Sequence, residues 1–189
     1  MTEKYYVRIK GTRPLLMHAP NGLGDNPQRR RGEHLTPEEE AEAALYKDPQ
    51  GNIVIPSVNI KAMLREAGRN YRISGRRLTY GAAIRAGIDI EPFYIPLKHN
   101  GWKVDIRPVV VQRSRILRAR PRFDEWELEF YIINKDPNVL LRDTMRRIVE
   151  DAGKWIGLCD YRPEFGLFRV EEFRVEKEED RSFISHIAA

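Results

Sequence analysis

Hydrophobic and polar side chains alternate in several stretches of the chain, which is the pattern of a half-buried β-strand. The clearest stretch is residues 126–132, where apolar side chains alternate mostly with glutamates. Further strands are predicted at residues 4–10, 104–116 and 167–175. Two adjacent glutamates, Glu171 and Glu172, interrupt the alternation of the last strand and indicate a β-bulge.

Two stripes of apolar residues at helical spacing predict two longer helices. The first helix has Ser57 as its candidate N-cap, and the second opens at Asn138. The first stripe comprises Ile60, Met63, Leu64, Ala67 and Tyr71, and the second comprises Leu141, Met145, Ile148, Val149, Ala152 and Ile156. A shorter helix, ending near Tyr46, is predicted from a capping box in which Thr36 is followed by Glu39.

The order of these elements, strand, helix, two strands, helix and strand, matches the ferredoxin-like (RRM-related) βαββαβ unit. We therefore predict an α+β fold in which residues 104–116 supply the second strand of the core. A chain of 189 residues suits one domain, and we assign it to residues 1–175. We expect an inserted loop and helix at 18–50, an insertion at 73–100, a protruding β-hairpin, and a charged C-terminal tail at 176–189.

Composition excludes several classes of protein. Hydrophobic residues make up 41% of the chain and aromatic residues 10%, which is typical of a globular protein. The single cysteine, Cys159, rules out an internal disulfide and indicates a reducing compartment. No apolar run approaches the length of a membrane span, so we expect a cytoplasmic protein without a membrane partner. No spacing of Cys and His indicates a metal site, and no glycine pattern indicates a dinucleotide, so no cofactor is predicted.

Positive charge is concentrated in three segments, although the formal net charge is only +5. The densest segment carries five arginines: Arg113, Arg115, Arg118, Arg120 and Arg122. A second set lies on one face of the first long helix and just beyond it: Lys61, Arg65, Arg69, Arg72, Arg76 and Arg77. The third set lies in a long polar loop: Arg29, Arg30 and Arg31. Clustered guanidinium groups repel one another, so these sets favour an anionic ligand such as a phosphate backbone.

Two interpretations of the arginine-rich hairpin stay open. In one interpretation, the positive charge on the edge strand has the sole purpose of preventing aggregation, although lysine is the usual residue for that purpose. If the role is binding, the first two arginines lie on one face of an extended strand and the last three lie on the other. Either a bulge realigns them, or one set alone meets the ligand. Candidates for stacking on bases are Phe123, whose surroundings are expected to be exposed, and Tyr71, Tyr80, Phe93 and Tyr94.

Residues 55–65 resemble a stretch found in the repeat-associated mysterious proteins (RAMPs), I-P-G-S-S-L-K-G-x-L-R. The shared positions at matching spacing are Ile55, Pro56, Lys61, Leu64 and Arg65, while Ser57 and Ala62 stand where the family has glycines. The exit of the first strand at residues 13–16 and the glycine-punctuated segment 157–168 are also similar to the family. The whole chain further resembles small uncharacterised proteins carried by phages and prophages.

The resemblance implies a ferredoxin-like core that binds single-stranded RNA or DNA, often with several copies side by side along the strand, as in the backbone subunits of CRISPR effector complexes. We therefore expect a non-catalytic, self-associating protein whose partner is a single-stranded nucleic acid. One alternative is a RAMP-type endoribonuclease, for which the candidate residues are His18, His34, His99, His186 and Asp25. Another alternative is a structural or scaffold protein of phage origin that does not bind nucleic acid.

Overall fold

The structure is a computed structural model that describes residues 2–20, 35–111 and 113–176. Its elements, in chain order, are β1 (Glu3–Gly11), β2 (Leu15–Leu16), α1 (Pro37–Ala43), β3 (Val54–Pro56), α2 (Ser57–Gly68), α3 (Tyr80–Gly87), β4 (Ile88–Glu91), β5 (Tyr94–Pro96), β6 (Lys98–His99), β7 (Lys103–Val111), β8 (Ser114–Phe123), β9 (Trp126–Asn134), α4 (Arg142–Asp151) and β10 (Phe168–Val175). A π-helical turn, Ala152–Ile156, continues α4. No helix within these three ranges is long and apolar enough to cross a membrane.

The main sheet has the strand order β10–β1–β9–β4, and each neighbouring pair is antiparallel. β6 also pairs with β9. In β1, the side chains of Tyr5, Val7 and Ile9 are fully buried on one face, as the alternation predicts. Helices α2 and α4 contact each other and pack against this face, where their apolar stripes join the same core. The predicted α+β class is confirmed.

The second strand of the main sheet comes from a different segment than the sequence pattern indicates. The pattern assigns this position to residues 104–116, but β4 occupies it, inside the region 73–100 interpreted as an insertion. Ile88 and Ile90 of β4 are buried, yet Pro92 follows so closely that the strand is four residues long. Such a short alternation is hard to recognise beside the longer apolar pattern of β7.

β7 pairs along its whole length with β8, and this hairpin forms a second sheet with β2. The arginine-rich segment therefore lies in a hairpin, as the sequence predicts. Leu15 and Leu16 of β2 pair with the end of β8 and anchor the base of the hairpin. At the opposite end Val111 pairs with Ser114, and Arg113 has a φ of +69°.

The short helix α1 and the long helix α2 follow the sequence closely. Thr36 Oγ1 accepts a hydrogen bond from the N–H of Glu39, and the Glu39 carboxylate accepts one from the N–H of Thr36. The predicted capping box is therefore confirmed. Four members of the predicted α2 stripe are buried, namely Ile60, Met63, Leu64 and Ala67. Ser57 is the first residue of α2 and is not the N-cap. The residue at the N-cap makes no side-chain hydrogen bond.

Of two predictions for the second half of the chain, one is wrong and one is confirmed. α4 begins at Arg142 and not at Asn138, because the preceding residues form a separate turn in which the N–H of Leu140 donates to the carbonyl of Asp136 at 2.8 Å. The predicted bulge in β10 is confirmed, since the register between β1 and β10 shifts there and leaves Glu171 without a partner on β1.

Two glycines close the loop 157–166, which joins the π-helical turn to β10. Gly157 and Gly166 have φ values of +83° and +77°, and the N–H of Leu158 donates to the carbonyl of Gly166 at 2.9 Å. Between the glycines, Cys159 and Tyr161 also have left-handed backbones, with φ of +64° and +57°. Residues other than glycine adopt this conformation only where their surroundings impose it.

We expect Gly166→Ala to lower the free energy of unfolding much more than Gly51→Ala. Both glycines have positive φ, so each substitution carries a left-handed backbone cost of about 1–2 kcal/mol. A β-carbon at Gly51 would meet nothing within 4 Å, whereas one at Gly166 would overlap the backbone of Leu158. Urea denaturation of the two variants measures the difference. Equal losses would contradict the close packing of the loop.

Candidate nucleic-acid interface

Three of the five hairpin arginines are held by carboxylates of the same chain. Arg118 Nη1 lies 3.0 Å from Oε1 of Glu40 on α1. The other oxygen of Glu40 accepts a hydrogen bond from the backbone N–H of Ala119 at 3.2 Å, so α1 covers the free edge of β8. Arg122 Nε lies 2.7 Å from Oδ1 of Asp124. These charges are neutralised within the fold.

Arg120 is the most deeply placed of the three. Its side chain is only 8% exposed, and its Nε lies 2.6 Å from Oδ2 of Asp160. The N–H does not point at that oxygen, so the attraction is mainly between the two charges. His18 Nδ1 lies 3.6 Å from the same oxygen. The neighbouring His18, and after it the charge of Arg120, hold the pKa of the Asp160 carboxyl below its usual value, although partial burial acts in the opposite direction.

The middle of the hairpin rests on the loop 157–166. The guanidinium of Arg107, on β7, lies over the rings of Phe165 and Tyr161, at 4.6 and 5.5 Å from their centroids. The two rings meet edge to face, with centroids 5.9 Å apart. Arg107 is itself held by Asp105, whose Oδ1 lies 2.6 Å from its Nε. The hairpin and the loop therefore form one connected structure.

The tip of the hairpin carries the remaining two arginines. Arg113 and Arg115 are exposed, and no carboxylate in the described part of the chain pairs with either. Val110, which pairs with Arg115 on the same face, is 70% exposed, and Leu117 is 69% exposed. Among the described residues, the two tip arginines therefore lack a carboxylate partner, whereas the other three hairpin arginines have one.

The second basic set divides in a similar way. The Nζ of Lys61 donates to the carbonyl of Ile88 at 2.6 Å and lies 3.5 Å from Asp89, so this lysine is tied to β4. The other members have no carboxylate partner among the described residues: Arg65, Arg69, Arg72, Arg76 and Arg77. Arg65 is half-buried, and the other four are exposed. These unpaired guanidinium groups make this part of the surface strongly positive.

A groove, called here the α2 groove, lies between α2 and the loop 157–166. Its two parts have volumes of about 190 and 340 Å³ and share Cys159, Asp160 and Arg162. The smaller part is also lined by His18, Tyr46, Asn59 and Ala62, and the larger by Glu66, Trp155, Ile156, Tyr161 and Pro163. Burial raises the pKa of the Cys159 thiol to about 12, so at neutral pH this thiol is protonated and a poor nucleophile.

The aromatic candidates lie in three environments. Phe123 is fully buried in the core at the end of β8, so the expectation that its surroundings are exposed is wrong. The hairpin packs against the core at this point, and Phe123 is one of the residues that make this contact. Two candidates are half-buried against the core, namely Tyr71 and Tyr80. Phe93 and Tyr94 are exposed and pack edge to face on each other, with centroids 4.9 Å apart.

Several sequence candidates lie outside the described residues: Asp25, Arg29, Arg30, Arg31, His34 and His186. Of the two histidine candidates that are described, His18 lines the α2 groove, and His99 is half-buried with its ring 5.0 Å from that of Phe123. Within residues 2–20, 35–111 and 113–176, no cluster of three or more His, Cys, Asp or Glu side chains could hold a metal ion.

Comparison with known proteins gives one informative result. No protein-family model and no curated protein matches the chain. The structure is similar to a chain in the cryo-EM structure of the Type III-B Cmr-beta bound to cognate target RNA, with a TM-score of 0.60 and 15% sequence identity. The likeness is one of fold. It covers 93% of the present chain, which spans 61% of the length of the other.

Sequence reasoning missed three residues of the α2 groove. Trp155, Tyr161 and Arg162 line its larger part, yet none lies in a basic run or in a strand pattern. The loop is held in place by contacts with residues distant in the chain, which local patterns cannot reveal. The one signal in the sequence was the glycine-punctuated segment 157–168, which contains Tyr161 and Arg162.

We expect Asp160→Asn to lower the free energy of unfolding by about 2–3 kcal/mol near neutral pH, because the buried Arg120 loses its countercharge. This value is smaller than for a fully buried pair because Asp160 is partly exposed.

The pKa of Asp160 is lowered in the folded protein. Its stabilising effect is therefore fully present above the pKa of the unfolded carboxyl, about 3.9, and is lost as the pH falls through the lower folded value. Urea denaturation at a series of pH values should show the difference between the wild type and Asp160→Asn shrinking below about pH 4. A difference that stays constant there would contradict the ion pair.

Proposed function

We propose that this chain binds single-stranded RNA or DNA without cutting it, and that several copies bind side by side along the strand. The observation that carries the proposal is the division of the arginines. Carboxylates neutralise the inner cations Arg118, Arg120 and Arg122. The described arginines between residues 65 and 77, and the pair at the hairpin tip, have no such partner among the described residues. A surface of unpaired guanidinium groups is suited to phosphates.

A ferredoxin-like core of the RAMP type is the fold we propose for this function. If β4 is taken as the second strand of the core, the sheet order is last, first, third, second, which is the order of that fold. The RAMP-like stretch, residues 55–65, begins in β3 and continues into α2, which forms one wall of the α2 groove. The similar solved chain belongs to a complex bound to target RNA, which supports RNA as the first ligand to test.

The proposed path of the strand follows the unpaired charges. Phosphates contact Arg65 and Arg69 on α2 and the exposed arginines that follow this helix. The strand continues along the α2 groove, where Arg162 and Asn59 offer hydrogen-bond donors. The hairpin tip, with Arg113 and Arg115, supplies a further contact. Recognition through phosphates tolerates any sequence, and it allows copies of the chain to line up along one strand.

We expect binding to be strongly salt-dependent and to weaken when the unpaired arginines are replaced. On a single strand, the logarithm of the affinity falls by about 0.7 per logarithmic unit of salt for each phosphate neutralised. Arg65→Gln/Arg69→Gln should therefore reduce this slope by about 1.4, and so should Arg113→Gln/Arg115→Gln. Fluorescence anisotropy with labelled single-stranded RNA and DNA measures the slope, and sedimentation of the complexes counts the copies per strand.

The matched control is Lys10→Gln/Lys98→Gln, which removes the same charge from a different surface. These lysines pair with Glu127 and Glu129 on the face of the main sheet opposite α2. The slope should stay unchanged in this variant. The absence of binding at low salt would contradict the proposal, and an unchanged slope in the tip variant would exclude the hairpin from the interface.

An endoribonuclease is a second candidate, favoured by one observation. The imidazole of His18 lies beside the Asp160 carboxylate and lines the α2 groove, which is the arrangement of a histidine held in place for proton transfer. If the protein cuts RNA, it should leave DNA of the same sequence intact, since the attack needs the 2′-hydroxyl. His18→Gln should then abolish the cleavage and leave binding in place. Gel analysis of labelled strands checks this, and we expect intact RNA.

A further inference from the structure

We propose that the larger part of the α2 groove is a pocket for one unpaired base, in which the base stacks on Trp155 and the Glu66–Arg162 ion pair selects guanine. The inference rests on the proposed binding of a single strand and adds a specific contact to it. It starts from an exposed tryptophan that the fold does not use.

Trp155 is 70% exposed, which is unusual for such a large apolar side chain. The π-helical turn places it there. In a regular α-helix Trp155, seven residues after the buried Ile148, would lie beside the buried stripe of α4. The turn closes through the hydrogen bond from the N–H of Gly157 to the carbonyl of Ala152, at 2.9 Å. Its wider winding rotates Trp155 away from the core, and such turns are common at functional sites.

Trp155 and Tyr161 line the same part of the groove. The Tyr161 ring contacts Phe165 and the guanidinium of Arg107, and the residue is 40% exposed. With a volume of about 340 Å³, this part is within the size range of small-ligand sites, which is about 300–1,000 Å³. An aromatic surface of this kind suits the flat face of a base.

The polar groups of the pocket favour one base. Arg162 Nη1 donates to Oε2 of Glu66 at 3.1 Å, and the two side chains are 35% and 47% exposed. This pair leaves Oε1 of Glu66 and the other N–H groups of Arg162 available to a ligand. Guanine presents two adjacent donors, N1–H and N2–H, next to the acceptor O6. This edge complements a carboxylate beside a guanidinium. Adenine, cytosine and uracil each present a single donor group on that edge.

The test uses the full chain and short uridine oligomers that carry a single central guanosine, adenosine, cytidine or uridine. Binding of the guanosine oligomer should quench the fluorescence of Trp155 and should be about 5- to 150-fold tighter than binding of the uridine oligomer. Trp155→Ala should weaken binding of the guanosine oligomer by about 5- to 150-fold. Trp155→Phe, which keeps an aromatic ring, should retain most of the affinity and lose the quenching.

Glu66→Gln separates selection of the base from attraction to the strand. It removes a negative charge from the groove, so it should abolish the preference for guanosine while the uridine oligomer binds as well as before or better. The matched control is Leu141→Ala, which truncates another exposed apolar side chain, 55% exposed, at the start of α4. This variant should bind like the wild type. Circular dichroism confirms that each variant is folded.

The outcomes distinguish this inference from the proposed function. If no oligomer binds to the wild type at low salt, the proposed function fails and the pocket fails with it. If all oligomers bind with equal affinity, and Trp155→Ala binds like the wild type, the pocket is refuted while strand binding stands. Guanosine preference that persists in Glu66→Gln would refute the assigned role of the ion pair.

Discussion

The carboxylate of Asp160 is the contact on which the groove and the hairpin both depend. It balances the charge of Arg120, which is buried at the base of the hairpin, and it lies beside His18 at the exit from β2. The backbone N–H of Asp160 donates to the carbonyl of Leu16 at 3.0 Å. A single residue thus links β8, β2 and the loop 157–166. The left-handed residues on either side, Cys159 and Tyr161, hold the loop in a shape that leaves Tyr161 and Arg162 lining the groove.

Arginine side chains serve two purposes in this chain, and the presence or absence of a nearby carboxylate separates them. A guanidinium group removed from water needs a countercharge, and Arg120 receives one from Asp160. A guanidinium group in water does not need one, and the arginines after α2 and at the hairpin tip have none among the described residues. Carboxylates neutralise Arg118, Arg120 and Arg122, so these arginines stabilise the hairpin and do not attract an anionic ligand. The outer ones keep their full charge for an anion.

Much of the fold can be predicted from local patterns. The capping box at Thr36, the buried stripe of α2 and the bulge at Glu171 all follow from the spacing of a few neighbouring residues. The strand β4 of the main sheet could not be predicted, because Pro92 cuts its alternation short. The sequence predicts that the hairpin arginines lie on two opposite faces of the strand. The partners Glu40 and Asp160 lie far away in the sequence, so the pattern could not show which face they neutralise.

The candidate site was predicted less completely than the fold. The basic character of α2 is visible in the sequence. Lys61, however, donates a hydrogen bond to a backbone carbonyl of β4, and this contact exists only in the tertiary structure. The buried position of Phe123 reflects where the hairpin meets the core, and the exposed position of Trp155 reflects a single wide helical turn. Neither feature changes the spacing of hydrophobic residues along the chain, so the sequence pattern does not reveal it. Residues placed by such irregularities are therefore found from the structure.

Photo-crosslinking tests the central claim most directly. A single-stranded RNA with photoreactive bases, irradiated in complex with the full chain and analysed by mass spectrometry, identifies the peptides that touch the strand. We expect crosslinks in α2 and residues 65–77, in the loop 157–166 and at the hairpin tip. Crosslinks confined to the opposite face of the main sheet, where Tyr6 and Tyr131 meet with centroids 5.7 Å apart, would contradict the account.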